Sequence, residues 1–229
     1  MKIYIMKTDY KNILFDFDGT LIDTGPGIMN ATHYSLASFG INEDDPANLK
    51  RFVGPPLAEA FASHYGFSPE GSVNAVLKFR EYYLSKGWTE CSIYPGITEM
   101  LSSLRDSGRR LIIATGKPED LALKISEQYG IMDYFDLIRG AYVDEEGEHR
   151  TDKKEIIESI FEDLHIEDTS SCIMIGDRAN DIHGAHRAGI RAVGALWGYG
   201  SLEEINGADA EYTAEAPSEI TDMIINGLL

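Results

Sequence analysis

Short runs of apolar residues, each followed by a polar cluster, recur along the chain and predict buried β-strands. The clearest runs cover residues 13–17, 110–114 and 172–175, and weaker runs cover 191–196 and 136–139. Segments with helical periodicity accompany them at 96–107, 118–129, 153–164 and 180–188. Because strands that alternate with helices usually pair in parallel, the pattern predicts an α/β fold with a three-layer, Rossmann-like parallel sheet core. Sites in such folds form beyond the carboxyl ends of the strands.

Residues 24–93 interrupt this alternation. They contain helical stretches at 27–39, 57–65 and 69–86 and no convincing strand. Glycine and proline flank the interruption, as expected where a chain leaves and re-enters a domain. We therefore predict a core domain formed by residues 1–23 and 94–229, with a helical cap domain inserted at 24–93.

The composition is that of a soluble globular protein, with 43% hydrophobic and 25% charged residues. A formal net charge of −18 disfavours nucleic acid and anionic membrane surfaces as partners, but a small anionic substrate responds to the local field of its site. The apolar stretch among the first residues is too short for a signal peptide, so we expect a cytoplasmic protein. We expect a monomer or a homodimer. Cys91 and Cys172 form no metal or disulfide framework and are expected to be reduced thiols.

The first predicted strand ends in the sequence Asp16-Phe17-Asp18-Gly19. Side chains two positions apart on an extended chain point to the same side, so the two carboxylates can act on one centre. Such a pair suits a nucleophile beside a general acid/base, or the oxygen ligands of Mg²⁺. An isolated pair of this type is more typical of a simple turn. A calcium-binding EF-hand loop would need glycine where Leu21 stands.

Four further polar residues follow other predicted strands or begin a predicted helix: Thr115, Lys153, Asp177 and Asp181. In a parallel sheet these ends share one edge, so a hydroxyl, an ammonium group and two more carboxylates are expected to converge on Asp16. This convergence favours a catalytic site over a turn.

Together these motifs resemble the haloacid dehalogenase superfamily, in the branch of capped phosphatases that includes phosphoglycolate phosphatases and 5′-nucleotidase-like enzymes. The matching pieces are DFDGTLIDT from Asp16, ATGKP from Ala114, the lysine of TDKKEII and MIGDRANDIHGA from Met174. The resemblance implies a magnesium-dependent phosphatase that acts on a small phosphorylated metabolite.

By the same resemblance, Asp16 is the nucleophile that forms an aspartyl-phosphate, and Asp18 is the general acid/base. Mg²⁺ is held by Asp16, the backbone carbonyl of Asp18 and Asp177, while Asp181 orients Lys153 or a metal-bound water. Lys154 is an alternative to Lys153, because the two lysines are adjacent.

The phosphate oxygens are expected to bind Thr115 and backbone N–H groups near Gly19 and Gly116. Thr20 stands where related mutases commonly carry an apolar residue, which favours hydrolysis. Lys117 adds a positive charge to the site, or is a solvated lysine at a helix start. In the cap, Arg51 and Arg80 are candidates for binding a substrate carboxylate, with surface charge as the alternative.

Other functions remain open from the sequence. A sugar phosphomutase or pyrophosphatase of the same superfamily keeps both aspartates, and a non-catalytic phosphate-binding regulatory protein is the alternative of another class. A receiver domain is disfavoured, because its phosphate-accepting aspartate follows the acidic pair instead of lying on the first strand. His183 and His186 share a helical face but lack the further ligands of a zinc site.

Overall fold

The computed structural model describes residues 9–143 and 149–227. The described residues form two compact units, one comprising the chain up to Leu21 and from Tyr94, the other Ile22–Ile93. Within the described ranges the strands are β1 (Asn12–Phe15), β2 (Ile22–Asp23), β3 (Ser92–Ile93), β4 (Arg110–Pro118), β5 (Leu137–Val143), β6 (His149–Arg150), β7 (Cys172–Gly176), β8 (Arg191–Ala195) and β9 (Tyr212–Ala214). The α-helices are α1 (Gly25–Ser38), α2 (Pro46–Lys50), α3 (Leu57–Tyr65), α4 (Pro69–Ser85), α5 (Ile97–Asp106), α6 (Glu119–Gln128), α7 (Lys153–Asp163), α8 (Ala179–Arg187), α9 (Leu202–Gly207) and α10 (Pro217–Asn226).

The first unit is built on a seven-stranded sheet with the order β6-β5-β4-β1-β7-β8-β9. Every neighbouring pair is parallel except β5 and β6, which pair antiparallel. β1 lies at the centre, where Phe15 pairs with Ile113 of β4 on one side and with Ile175 of β7 on the other. This architecture confirms the predicted α/β, Rossmann-like fold.

Both faces of the central strands are buried, which explains why they read as continuous apolar runs. Leu14 and Met174 belong to a hydrophobic cluster on one face, together with Ile156 and Ile160 of α7 and Ile182 of α8. All five of these side chains are fully buried. The cluster therefore fixes α7 and α8 against the sheet and places their first residues near its carboxyl edge.

Some elements differ from the sequence-based predictions. The first strand ends at Phe15 instead of residue 17, and β4 continues to Pro118 beyond the predicted 110–114. The elements β9, α9 and α10 were not predicted. The first two are only three and six residues long, too short for a clear periodic signal.

The second unit consists of the helices α1 to α4 and one short antiparallel pair, in which Ile22 of β2 faces Ile93 of β3. The expectation that residues 24–93 lack a strand was therefore wrong at their C-terminal end, which contains β3, while β2 lies just before residue 24. A two-residue strand gives no periodic pattern. Its core contains buried aromatic side chains, including Phe52, Phe61 and Phe79.

Two general features complete the description. In the described part of the chain, none of the helices has both the length and the apolar character needed to span a bilayer. Cys91 and Cys172 do not form a disulfide bond.

Candidate active site

Asp16 directly follows the central strand β1, and its backbone N–H donates to the carbonyl of Ile175 at 2.8 Å. The chain then turns, with the N–H of Leu21 bonded to the carbonyl of Phe17 at 3.0 Å. Gly19 adopts φ +87°, and a Cβ there would overlap the carboxylate of Asp177. Glycine is thus required for this turn to lie against the end of β7.

Lys153 begins α7, and its side chain is only 2% exposed. Its Nζ lies 2.7 Å from Oδ1 of Asp16, 2.8 Å from Oδ1 of Asp181 and 2.8 Å from the carbonyl oxygen of Ala114. Burial alone would lower the pKa of Lys153, but the two carboxylates raise it above its ordinary value, so the amine stays charged. Lys153 therefore supplies a buried positive charge beside Asp16.

The neighbouring Lys154 lies elsewhere. Its Nζ pairs with Glu158 one helical turn away, at 2.6 Å, and its side chain is 37% exposed. Asp152 caps the helix by accepting the N–H of Lys154 at 2.9 Å. Successive side chains of a helix with about 3.6 residues per turn point in different directions, and of the two lysines Lys153 is the one that reaches Asp16.

Three buried carboxylates lie close together at the carboxyl edge of the sheet. Ligand atoms of Asp16, Asp177 and Asp181 all lie within 4.8 Å of one another. Among the residues that the structure describes, this is the one such group of histidine, cysteine or acidic side chains. His183 and His186 are not members of this group.

Asp177 and Asp181 are held by different donors. Asp177 follows β7 and accepts the hydroxyl of Thr20 at 3.1 Å and the backbone N–H of Tyr199 at 2.8 Å. Asp181 lies in the first turn of α8 and accepts the N–H of Arg178 at 3.1 Å as well as the ammonium of Lys153. Thr20 is thus placed as a donor to an aspartate of this group.

The negative charges of the three carboxylates are only partly balanced by the ammonium of Lys153. Burial, followed by the charges of Asp181 and Asp16, raises the pKa of Asp177 to about 8. Burial also raises the pKa of Asp16 to about 6, although Lys153 opposes the rise. The group contains three carboxylates but one ammonium group, which contacts two of them. A divalent cation with oxygen ligands would offset the remaining negative charge of the ionised group. The donor set therefore fits Mg²⁺.

Asp18 lies beside this group but outside it. Its carboxylate is 18% exposed, and its Oδ1 lies 3.0 Å from Nζ of Lys117, whose side chain is 3% exposed. Thr115, from the same segment of β4, is buried and accepts the N–H of Lys117 at 3.1 Å. Gly116 between them is exposed. The sequence left open whether Lys117 adds charge to the site or is solvated. The structure excludes the solvated interpretation, because the lysine side chain is buried.

The site also contains residues that the sequence reasoning missed. After β8, the indole N–H of Trp197 donates to the carbonyl of Thr20 at 2.9 Å, and the N–H of Tyr199 donates to Asp177. A Cβ at Gly198 would overlap Asp177 and the carbonyl of Gly19. The tight run Trp197-Gly198-Tyr199-Gly200, two glycines after a strand, was the available signal for a close backbone approach.

The two arginines proposed for substrate binding belong to the second unit. Arg51 follows α2, Arg80 lies on α4, and both are exposed. Their part in substrate binding stays a prediction.

The chain is similar to known proteins over most of its length. The family model described as haloacid dehalogenase-like hydrolase matches residues 13–195. A 5′-nucleotidase from Pseudomonas aeruginosa is 38% identical over 196 residues, covering 86% of this chain and 87% of the relative. A phosphoglycolate phosphatase from Aquifex aeolicus is 29% identical over 225 residues, covering 95% of this chain and 98% of the relative.

Solved structures agree with the sequence matches. The crystal structure of a predicted phosphatase from Clostridium acetobutylicum superposes with a TM-score of 0.87 at 37% identity, covering 95% of this chain and 99% of that one. The match of the family model over most of the chain, the parallel sheet and the acidic group at its edge lead to the same conclusion: the chain belongs to the haloacid dehalogenase-like hydrolase family.

Proposed function

We propose that the chain is a magnesium-dependent phosphatase that hydrolyses small phosphomonoesters through an aspartyl-phosphate on Asp16. The observation that carries this proposal is the position of the Asp16 carboxylate. It lies at the end of the central strand, within 4.8 Å of Asp177 and Asp181 and 2.7 Å from Nζ of Lys153. A carboxylate surrounded in this way can approach an anionic phosphoryl group once the charges around it are balanced.

The carboxylates of Asp16 and Asp177 and the backbone carbonyl of Asp18 would hold the metal ion. Asp181 already accepts hydrogen bonds from Lys153 and Arg178, which suits it to orient Lys153 or a metal-bound water. Bound Mg²⁺ neutralises negative charge on the phosphoryl oxygens and on the carboxylates that surround them.

The side chains of this chain then divide the chemistry into two steps. In the first, a carboxylate oxygen of Asp16 attacks phosphorus, the bond to the leaving oxygen breaks, and Asp18 gives that oxygen a proton. In the second, the Asp18 carboxylate takes a proton from water, whose oxygen attacks phosphorus and displaces Asp16. Inorganic phosphate leaves, and both aspartates return to their starting states.

Charge on the phosphoryl oxygens is offset by the ammonium of Lys153 and by hydrogen bonds from Thr115 and the N–H groups of Gly19 and Gly116. In the described structure Lys153 binds Oδ1 of Asp16, which fixes the orientation of the nucleophile. Preorganised donors of this type contribute about 10²–10³-fold each to rate in enzymes that stabilise a developing oxyanion.

The substrate is a small phosphorylated metabolite, either phosphoglycolate-like or a nucleoside monophosphate. The names of the relatives support both classes. Residues 24–93 are proposed to act as a cap that contacts the leaving group, with Arg51 or Arg80 binding a substrate carboxylate. A substrate without a carboxylate or second phosphate would make little use of these arginines.

Two assays test the proposal. Purified protein with Mg²⁺ should release phosphate from p-nitrophenyl phosphate, and EDTA should abolish the release. A panel of phosphoglycolate, nucleoside monophosphates, pyrophosphate and sugar phosphates should then rank the substrates. Folded protein that hydrolyses none of these compounds in Mg²⁺ would refute the proposal.

The same panel separates the alternatives. A sugar phosphomutase would convert glucose 1-phosphate to another sugar phosphate without releasing phosphate, and a pyrophosphatase would prefer pyrophosphate. Neither alternative is favoured by the relatives named above. A non-catalytic phosphate-binding protein would bind phosphate esters and leave all of them intact.

A further inference from the structure

Lys117 contacts the carboxylate of Asp18, the proposed general acid/base. Its Nζ lies 3.0 Å from Oδ1 and 3.3 Å from Oδ2 of Asp18, so one ammonium group contacts both oxygens of the same carboxylate. The lysine side chain is 3% exposed, whereas the aspartate side chain is 18% exposed. A buried, two-point, charge-assisted contact restricts the rotation of a carboxylate more than a single bond to solvent does.

The strand that delivers Lys117 is irregular at this point. Ala114 of β4 pairs with Arg139 of β5, and Pro118 pairs with Ala141. Between these two pairs β4 advances by four residues and β5 by two, so β4 contains extra residues. Extra residues of this type bend a strand and redirect its side chains.

Within the irregular stretch, burial alternates. Thr115 and Lys117 are buried and Gly116 is exposed, as expected when alternate side chains point to one side. The N–H of Lys117 donates to Oγ1 of Thr115 at 3.1 Å, a local hydrogen bond that restrains the backbone of this stretch. The backbone therefore fixes where Lys117 starts, and its side chain has little freedom to reach elsewhere.

We infer that Lys117 is a positioning residue, which holds the Asp18 carboxylate in place for proton transfer and is not a ligand of the substrate phosphate. The inference rests on the proposed function, because it requires Asp18 to act as acid and base. Both proton transfers need the carboxylate oxygen within hydrogen-bond reach of the reacting oxygen. A displacement of about 1 Å in such a group costs about 10²-fold in rate.

The two steps of the reaction respond differently to a misplaced Asp18 when the substrate is p-nitrophenyl phosphate. Nitrophenolate leaves without a proton, so formation of the aspartyl-phosphate does not need Asp18. Attack of water does need it. With Lys117→Met we therefore expect rapid release of one nitrophenolate per active site, followed by turnover reduced about 10–100-fold, with the KM unchanged or lower.

A lysine that bound the substrate phosphate would give another result. Its loss would slow the initial release of nitrophenolate itself and raise the KM, because binding and the first step would both be impaired. Rapid-mixing kinetics of the first turnover separate the two cases.

A double-mutant cycle provides the decisive measurement. If Lys117 acts only through Asp18, the double variant Asp18→Asn, Lys117→Met should be as active as Asp18→Asn alone. Lys117→Arg, which keeps the charge and the donors, should retain more turnover than Lys117→Met. Lys124→Met is the matched control, because Lys124 is an exposed lysine of the next helix with its Nζ 4.0 Å from Asp120.

Circular dichroism and thermal unfolding establish that each variant is folded, and Lys117→Gln replaces Lys117→Met in the cycle if the methionine variant does not fold. The inference is overturned if the lysine substitution reduces turnover by the same factor in both backgrounds. Failure of the proposed function would appear differently, as a wild-type protein that releases no phosphate at all.

Discussion

Nζ of Lys153 lies 2.7 Å from Oδ1 of Asp16 and 2.8 Å from Oδ1 of Asp181, so one buried cation is shared between two buried carboxylates. Asp177 beside them accepts hydrogen bonds from a hydroxyl and a backbone N–H, which carry no full charge. When all three carboxylates are ionised, the group therefore has an excess of negative charge, which affects both activity and stability.

Replacing Lys153 with methionine should remove nearly all phosphatase activity, by about 10²-fold or more. The substitution also leaves two carboxylates buried without their cation, so the melting temperature should fall. Phosphate release and thermal unfolding measure the two effects. Lys154→Met is the matched control, since its exposed pair with Glu158 contributes little, and it should keep activity within about twofold. Equal losses in the two variants would contradict the placement of the active-site lysine.

Asp16→Asn should abolish turnover without lowering stability. Burial raises the pKa of Asp16 to about 6, so the ionised carboxylate is less favourable in the fold than in the unfolded chain. An amide keeps an acceptor for Lys153 and carries no charge. Thermal unfolding at pH 8 in EDTA should give a melting temperature equal to or above that of the wild type.

Mass spectrometry of protein quenched during turnover supplies the control for this variant. The wild type should carry a phosphoryl group, and Asp16→Asn should carry none. A fully active asparagine variant would show that another residue is the nucleophile.

Without divalent cations, stability should decrease as pH rises towards 8. The pKa of Asp177 is raised from 3.8 in the unfolded chain to about 8 in the fold, so between these values the folded chain binds more protons. Stability then falls with rising pH in this window, with a further contribution from Asp16 up to about pH 6. Melting temperatures measured in EDTA across the window test the direction.

Mg²⁺ should reverse this trend, because it binds the ionised carboxylates of the folded chain. The rise in melting temperature on adding Mg²⁺ should therefore be larger at pH 8 than at pH 6. Asp177→Asn should show a weaker dependence on pH and a smaller response to Mg²⁺. A response to Mg²⁺ that is the same in wild type and variant would place the ion elsewhere.

Gly184→Ala should lower activity by displacing Lys153. A Cβ at this position of α8 would overlap Cβ and Cγ of the lysine, whose stem packs against the helix at that point. We expect kcat to fall about tenfold or more, since small misplacements of a positioning group are costly. Gly207→Ala in α9 is the control, because its added methyl group meets no atom within 4 Å. That variant should keep full activity and be as stable as the wild type or slightly more so.

The family, the fold class and phosphatase chemistry were predictable from the sequence and are confirmed by the relatives. These features are carried by strong local signals, namely fully apolar central strands and polar residues directly after them. The strand β1 illustrates this, since it is buried on both faces and ends one residue before Asp16.

Other features depend on contacts between segments distant in sequence, which no local pattern encodes. The pairing of Lys117 with Asp18 joins residues 99 positions apart. The bond from Trp197 to the carbonyl of Thr20 joins residues 177 positions apart. From the sequence, a lysine after a predicted strand is equally consistent with a solvated and with a buried side chain. The structure shows Lys117 buried, in a stretch of β4 with irregular register.

The central position of β1 also determines when the chain can become active during its synthesis. Asp16 is made early, but the strand that completes its surroundings follows 160 positions later, where Phe15 pairs with Ile175. At a translation rate of about 5–20 residues per second, Asp16 is made roughly 8–30 s before Asp177. A nascent chain that ends before Asp177 contains Asp16 without the complete acidic group. We therefore expect activity only after the sheet has formed around its first strand, and in refolding the recovery of activity should be among the last events.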